Sequence, residues 1–247
     1  MPQFFFHTGT MYGKGSGPNA TPQEFGTLQS GSIDLSYTNK SLYGQYNAPV
    51  ATGRGNLKIS GKASSAAIQA RFFNDLFCGG TLSKGQTVIA QNEVASVPSA
   101  TAYTVTAANA ATFVEDWAVK YASNGAPLIK VASDPAQGQY SVANGVYTFA
   151  AADAGAEVLL SYSYTDATNG QSILVTQQLV GVAPEFSLVL NGNFNGAAMS
   201  LKLFAAVSTK LSFATKLNDF MIPAFEFEGQ ADAAGRIYQL NTSDGAA

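Results

Sequence analysis

The sequence predicts an all-β protein with a single helix, and three observations carry that prediction. Apolar and polar residues alternate along many short segments, as they do in strands that bury one face. Asn-Gly, Asp-Pro and Gly-rich turn signals separate these segments. Only one segment, 64–78, has its apolar residues at helical spacing. With 46% hydrophobic residues in a chain of 247, there is enough apolar side-chain volume to fill substantial cores.

The N-terminal part begins with an arm and continues into two strands. The first thirty residues are rich in Gly, Pro, Asn and Thr, and they predict an extended arm without a core of its own. Two half-buried strands follow, because apolar residues alternate with polar ones in both. The alternating apolar residues are Ile33, Leu35 and Tyr37 in the first strand and Leu57 and Ile59 in the second.

A long segment, 40–55, lies between these two strands and is predicted to be a loop. It is too long for a simple hairpin turn, and it is more apolar than a solvated loop requires. Its large apolar residues are Leu42, Tyr43, Tyr46 and Val50. We therefore predict an interaction element; the alternative is that these side chains fold back onto their own sheet.

Residues 64–78 form the predicted helix. Ser64 or Ser65 is the expected N-cap, and Gly79 with Gly80 is expected to end the helix. Its apolar residues at helical spacing are Ala67, Ile68, Phe72, Phe73 and Leu76. A single amphipathic helix in a β-rich chain is expected to cover one face of a sheet or one end of a barrel.

The region 91–180 predicts a separate, immunoglobulin-like β-sandwich. About seven short strand-like runs are separated by regular turn signals, which is typical of small sandwiches. Asp153-Ala-Gly155 resembles the corner that precedes a late strand in such domains, so a structural role is predicted for Asp153. Residues 85–180 carry seven acids and two bases, a net charge of -5, whereas the flanking parts carry nine acids and eleven bases, a net charge of +2.

Alternating strands resume after residue 181. Segments such as 186–190 and 199–204 repeat the pattern of the N-terminal part. The simplest topology is a discontinuous domain, 1–90 and 181–247, with the domain 91–180 inserted between its strands.

The composition argues against an enzyme and against a bound cofactor or metal. The chain has one histidine, His7, and one cysteine, Cys78, too few for a catalytic triad or a zinc site. Glu226 and Glu228 alternate with phenylalanines on one strand, and such a pair is expected to belong to a solvated face. No basic cluster indicates a dedicated nucleic-acid binder.

No segment predicts a membrane span or an export signal. No apolar run reaches the roughly 18 residues that cross a bilayer. The N-terminal residues lack a basic stretch followed by an apolar one, so synthesis in a cytoplasm is expected.

The flanking parts carry motifs that resemble the major tail tube proteins of long-tailed bacteriophages. The N-terminal motifs are Gly26-x-Leu-x-x-Gly31-x-Ile-x-Leu-Ser, Leu42-Tyr43-Gly44-Gln45-Tyr46-x-x-Pro49, Gly55-Asn-Leu-Lys-Ile-Ser-Gly61-Lys and Asn74-Asp75-Leu76-Phe77-Cys78-Gly79. The C-terminal motifs are Leu201-Lys-Leu, Ser208-x-Lys210-Leu-Ser, Asn218-Asp219-Phe220-x-Ile222-Pro223-x-Phe225-x-Phe227 and Ala231-Asp-x-x-Gly235. The resemblance covers roughly 150 residues, and the insertion 91–180 departs from the simplest members.

The resemblance implies a fold, an assembly and a location. It implies a tail-tube-like sandwich of two sheets with one helix, and a virion protein made in the host cytoplasm. Subunits of this family form stacked rings, commonly six-fold, which conduct double-stranded DNA during ejection and attach to other tail proteins. Six-fold rings are therefore favoured here, three-fold rings are the alternative, and the DNA is expected to pass without specific binding.

The resemblance also implies which residues meet neighbouring subunits. By the family pattern, the loop 40–55 and the N-terminal arm contact adjacent subunits or rings, and the helix 64–78 lies at a subunit interface. The resulting candidate assembly residues are Leu42, Tyr43, Gln45, Tyr46, Pro49, Phe72, Phe73 and Phe77.

Two other functions remain open at the level of sequence. A capsid decoration protein, or another head or tail accessory protein, would bind a lattice as a monomer or trimer. A cell-surface or carbohydrate-binding module would use exposed aromatic residues such as Trp117 and Tyr121.

Overall fold

The computed structural model of the chain describes residues 9–17, 19–67, 69–194 and 197–243. Strands make up 59% of the described residues and helical residues 7%, which confirms the all-β prediction. The chain divides into two compact units, a first unit of Met1–Leu82 with Ile173–Ala247 and an inserted unit of Ser83–Ser172. The inserted unit begins and ends earlier than the expected 91–180, because strands that start at Thr81 and end at Leu174 supply one of its sheets.

The described residues form fifteen strands. These are β1 (Thr10–Gly15), β2 (Gln23–Glu24), β3 (Leu28–Tyr43), β4 (Pro49–Ser65), β5 (Thr81–Ser96), β6 (Thr104–Thr106), β7 (Phe113–Tyr121), β8 (Ile129–Lys130), β9 (Gln139–Ala143), β10 (Val146–Phe149), β11 (Glu157–Leu174), β12 (Glu185–Phe194), β13 (Ala197–Ser212), β14 (Ala224–Gln230) and β15 (Tyr238–Thr242).

The first unit contains one sheet of eight strands. Its order is β2-β1-β12-β13-β14-β4-β3, and β15 pairs with β13 beside this path. Strand β13 changes partner along its length: its first half pairs with β15 and its second half with β14. All of these strand pairs are antiparallel. Strand β3 is the last in the order and pairs only with β4, so it lies at one edge of the sheet.

Alternating residues of β14 show how the sequence selects the two faces of this sheet. Phe225 and Phe227 are 3% and 1% exposed and lie in the core, while Glu226 and Glu228 point to the opposite face. The core is a cluster of aromatic and aliphatic side chains from the sheet, from Phe25 after β2 and from the helical segment. Its buried members are Met11, Phe25, Ile59, Ala63, Phe72, Phe73, Leu76, Phe186, Leu188, Leu203, Ala206, Phe225 and Phe227. The prediction that the first thirty residues are an arm without a core is therefore wrong, because Met11 and Phe25 are buried in this cluster.

The helical segment is shorter than predicted. It consists of an α-helix, α1 (Ala70–Phe73), that continues as a π-helical turn over Asn74–Cys78. Gly79 ends it with a left-handed backbone, φ 60°, as the Gly-Gly signal predicts. The predicted start at Ser64 is wrong, because Ser64 pairs with Ala224 and belongs to β4. Ile68 lies outside the described residues.

The inserted unit is a two-sheet sandwich. Its sheets have the orders β6-β10-β9-β8 and β5-β11-β7, and β8 pairs with β9 in parallel. Side chains of both sheets share one core, which explains why the unit is compact by itself. The buried members are Val97, Ala107, Val119, Leu128, Tyr140, Tyr147, Phe149, Val158, Leu160 and Tyr162.

Candidate assembly interface

The outer parts of β3 and β4 form a long, exposed two-stranded arm. Strands β3 and β4 continue to pair from Asn39 with Arg54 to Tyr43 with Pro49, and only residues 44–48 lie outside the strands. The predicted loop 40–55 is therefore mostly strand. Every residue from 38 to 56 is exposed, so this ribbon packs no face against the core. We call residues 38–56 the arm; it is distinct from the N-terminal arm that the sequence predicts for the first thirty residues.

The apolar side chains near the end of the arm are open to solvent. The exposed fractions are 66% for Leu42, 62% for Tyr43, 75% for Tyr46 and 71% for Val50. Gln45 and Pro49 of the candidate set are also exposed. These side chains do not fold back onto their own sheet, and together they form an exposed apolar patch at one end of the ribbon.

The base of the arm is held by a cation–π contact. The guanidinium carbon of Arg54 lies 3.6 Å from the ring centroid of Tyr37. Arg54 pairs across the ribbon with Asn39, so the contact joins neighbouring positions of β3 and β4. This contact stabilises the ribbon where it leaves the part of the sheet that packs on the core.

The arm also extends an unprotected sheet edge. Strand β3 has sixteen residues and pairs on one side only, with β4. Its only charged residues are Asp34 and Lys40. Edge strands of monomeric proteins are usually short or heavily charged, because unpaired backbone groups recruit other strands. A long edge with two charges is suited to contact with another chain.

The aromatic residues of the helical segment have a different place. Phe72 and Phe73 are 4% and 6% exposed, and the rings of Phe25 and Phe72 meet edge to face with centroids 4.5 Å apart. Phe77 is partly buried against the same core. Phe72 and Phe73 are thus core residues of their own chain, and we remove both from the candidate interface.

Two further loops expose apolar side chains that were not among the candidate assembly residues. Residues 175–184 and 213–223 contain no strand. Their most exposed apolar residues are Leu179, Val180 and Val182 in the first loop and Phe213, Leu217 and Phe220 in the second. The sequence carries only a weak signal for this exposure. The apolar residues do not alternate with polar ones, and Gly181, Pro184 and Pro223 lie nearby, which predicts loops but not which side chains they expose. We call these six residues the loop patch.

The groups that could carry chemistry are dispersed or already paired. Among the described residues, no group of three His, Cys, Asp or Glu side chains could hold a metal ion. His7 lies outside the described residues. Cys78 is partly buried, and burial raises the pKa of its thiol, which lowers its reactivity.

The paired glutamates of β14 form ion pairs on the polar face of the sheet. Glu228 lies 3.6 Å from the Lys58 ammonium group, and Glu226 lies 3.3 Å from that of Lys62 and 3.9 Å from that of Lys210. Their carboxylates therefore belong to a solvated, nearly charge-balanced face, as the alternation predicts.

Buried carboxylates of the inserted unit accept tyrosine hydroxyl groups. Asp116 has only 3% of its side chain exposed; it accepts bonds from Tyr140 at 2.8 Å and Tyr147 at 3.1 Å and pairs with Lys130 at 3.2 Å. Burial, followed by the bond to Asp116, raises the pKa of Tyr140. The arrangement holds the two sheets together and leaves the carboxylate with no free side.

Asp153 has the structural role that its motif predicts. Its carboxylate accepts the Tyr121 hydroxyl at 2.6 Å and the Gly138 backbone N–H at 3.1 Å. Burial, and then the bond to Asp153, raises the pKa of Tyr121 to about 12. Of the two aromatic residues considered for ligand binding, Trp117 is 58% exposed. The hydroxyl group of Tyr121 already donates its hydrogen bond to Asp153.

Comparisons with known proteins do not assign the chain to a family. No family model matches it, and no curated protein matches it. Within the described residues, no helix is long and apolar enough to cross a membrane.

Proposed function

We propose that this chain is a structural subunit of a phage virion, a tail tube protein whose copies assemble into stacked rings that conduct DNA. The observation that carries the proposal is the arm, in which every residue from 38 to 56 is exposed and Leu42, Tyr43 and Tyr46 have more than 60% of their surface open to solvent. A ribbon of this kind costs conformational entropy to order, and contact with another copy compensates that cost.

The polar face of the first unit's sheet supports the same function. Three of its lysines, Lys58, Lys62 and Lys210, pair with the two glutamates of β14. Each unpaired lysine that contacts a phosphate would strengthen salt-dependent DNA binding and slow the passage of DNA. A face on which acids offset part of the lysine charge is suited to a channel that DNA passes without being held.

The distribution of acidic and aromatic groups supports a structural role over catalysis. The buried carboxylates that we describe accept hydrogen bonds within the inserted unit, and the glutamates of β14 are ion-paired. A buried acid that is fully paired stabilises a fold and has no free position for a substrate.

Electron microscopy and light scattering test the proposal. The purified chain is examined by negative stain, and its mass is followed by light scattering as concentration rises. Rings or hollow tubes with a central channel are expected, and their images give the symmetry. A persistent monomer or compact trimer without a channel contradicts the tube function and favours a capsid decoration protein.

A matched pair of variants links the result to the arm. The double variant Tyr43→Asp/Tyr46→Asp places charges in the exposed end of the arm and is expected to remain monomeric. The control Ile89→Asp/Val94→Asp changes residues that are 60% and 66% exposed on the inserted unit and is expected to assemble as the unmodified chain does.

A further inference from the structure

We infer that the arm of one copy docks on the loop patch and on the adjacent cleft of a second copy, in a head-to-tail interface. This inference rests on the proposed self-assembly and names the surface that receives the arm. The loop patch consists of Leu179, Val180, Val182, Phe213, Leu217 and Phe220, whose exposed fractions lie between 52% and 105%.

Both loops of the patch flank the helical segment. On one side, the ring of Phe213 meets that of Phe73 edge to face, with centroids 5.4 Å apart. On the other side, the Gln178 side-chain amide donates to the Gly79 carbonyl at 3.4 Å, and Pro184 lies against Gly79. The helical segment thus holds both loops to the core through Phe213, Gln178 and Pro184, while the other five residues of the patch are 61% to 105% exposed.

A cleft of about 530 Å³ borders the patch where the first loop ends. Pro184 and Glu185 line it together with Arg71 and Asp75 of the helical segment. These side chains supply two acids and one base. The arm has the opposite balance, because its only charged residues are Lys40 and Arg54. Charge complementarity therefore favours the arm as the occupant of this surface.

The apolar areas of the two surfaces match the requirement of a stable interface. A buried aromatic side chain covers about 150 Å² or more, and because four of the six residues are smaller and Phe213 is only 52% exposed, the loop patch presents on the order of 800 Å². The four apolar residues near the end of the arm present on the order of 600 Å² by the same estimate. Together they lie within the roughly 1,200–2,000 Å² that specific stable complexes bury.

A head-to-tail arrangement uses both surfaces in every copy. The arm is a projecting ribbon, and the patch with its cleft is a different surface of the same unit. Pairing of unlike surfaces continues from copy to copy and closes into a ring when the rotation allows it. Pairing of two arms would instead give a dimer and leave the loop patch uncovered.

Mixing two defective variants tests this arrangement. Variant A, Tyr43→Asp/Tyr46→Asp, has a disabled arm, and variant B, Leu217→Asp/Phe220→Asp, has a disabled patch. Each alone is expected to need at least about 30-fold more protein to associate, the effect of losing about 2 kcal/mol at an interface centre. An equimolar mixture is expected to form dimers of A with B and nothing larger, because only one productive contact remains. Ile89→Asp/Val94→Asp is the control.

The outcomes separate the inference from the proposed function. If B alone assembles as the unmodified chain does, while that chain forms rings or tubes, the patch is not the receiving surface and the proposed function stands. If the unmodified chain stays monomeric at the highest concentration, both are overturned. If the unmodified chain forms compact oligomers without a channel, while A and B associate only with each other and only as dimers, the inference is supported and the tube function is contradicted.

A crosslink provides a second measurement that does not depend on disabled variants. A photoreactive amino acid replaces Tyr46, which is 75% exposed, so its substitution does not disturb the core. Mass spectrometry of the crosslinked dimer is expected to find bonds between position 46 and residues 179–182 or 213–220 of the other copy. Bonds mainly to the arm of the other copy would overturn the inference.

Discussion

Asp116 is the residue whose loss should most affect the inserted unit. Its buried carboxylate accepts two tyrosine hydroxyl groups, so Asp116→Ala leaves both without a partner. The expected cost is about 3 kcal/mol in the free energy of unfolding, since each unsatisfied buried group costs about 1–3 kcal/mol. Urea denaturation followed by tyrosine fluorescence measures it.

The control for this prediction is Glu157→Ala. Glu157 is exposed in the same unit, and its substitution is expected to change the free energy of unfolding by less than about 0.5 kcal/mol. A loss below about 1 kcal/mol for Asp116→Ala would mean that water replaces the carboxylate as hydrogen-bond acceptor.

The raised pKa of Tyr121 predicts that the free energy of unfolding decreases at alkaline pH. Below about pH 10 the phenol is protonated in the folded and the unfolded chain. Because the folded pKa is raised to about 12, the unfolded chain loses this proton first. The free energy of unfolding should therefore fall as pH rises from about 10 to 12 and then level off for this group.

The tyrosine prediction is checked by urea denaturation at a series of alkaline pH values. Tyr121→Phe removes the titrating hydroxyl and is expected to make the fall shallower, with Tyr140 and Tyr147 accounting for part of the remainder because burial also raises the pKa of both. An unchanged pH profile in the variant would contradict a contribution from Tyr121.

Single residues were predictable from the sequence where a local motif fixed their role. Asp153 was predicted as structural because its turn motif is contiguous. The role of Asp116 was not predictable, because its partners Tyr140 and Tyr147 lie on β9 and β10, which the fold brings to β7. Nothing in the spacing along the chain indicates that convergence.

At the scale of elements, β4 allows the same substitution to be compared at two sites. A Cβ at Gly61 would fall against the ring of Phe227 in the core, whereas the nearest atom to a Cβ at Gly53 is 3.9 Å away. Gly61→Ala should lower the free energy of unfolding by about 1–3 kcal/mol through overpacking. Gly53→Ala should change it by less than about 0.5 kcal/mol. Thermal or urea unfolding of both variants measures the difference, and equal losses would contradict this account.

The arm should be dispensable for folding and required for assembly. Replacing residues 40–53 by Asn-Gly joins Asn39 to Arg54, which already pair across the ribbon, through a favoured hairpin turn. No buried core residue lies in the deleted part, so the free energy of unfolding should change by about 1 kcal/mol or less. Circular dichroism with urea measures the fold, and light scattering should find only monomers. Rings formed by this variant would contradict the role of the arm.

The elements show where sequence patterns succeed and where tertiary pairing overrides them. The alternation of Ile33 and Leu57 predicted strands because one face of that part of the ribbon contacts the core. The same two strands extend through residues 40–43 and 49–55, where no face is buried and alternation is absent, so the pattern predicted a loop. Ser64 was assigned to the helix because serine is a good cap, yet its pairing with Ala224 extends β4 instead.

At the scale of the whole molecule, the sequence was enough for the fold class but not for the complete candidate interface. Leu42, Tyr43 and Tyr46 were predicted because they are unusually apolar for a loop, and the structure exposes all three. Phe72 and Phe73 were misplaced because the resemblance implied a helix at a subunit interface, whereas both side chains are buried in the core of their own chain. The loop patch was missed because its two parts are distant in sequence and each is tied to the helical segment only by tertiary contacts, at Phe73 and at Gly79.

The inserted unit should be removable without loss of assembly. It has its own core, and its ends are adjacent, since the side-chain oxygens of Ser83 and Ser172 are 2.9 Å apart. A short Gly-Ser link between these residues can therefore replace residues 84–171. The shortened chain keeps the arm, the loop patch and the core of the first unit, so it should fold and form the same rings by electron microscopy. A folded chain that no longer assembles would place part of the interface on the inserted unit, and an unfolded one would show that the first unit depends on it.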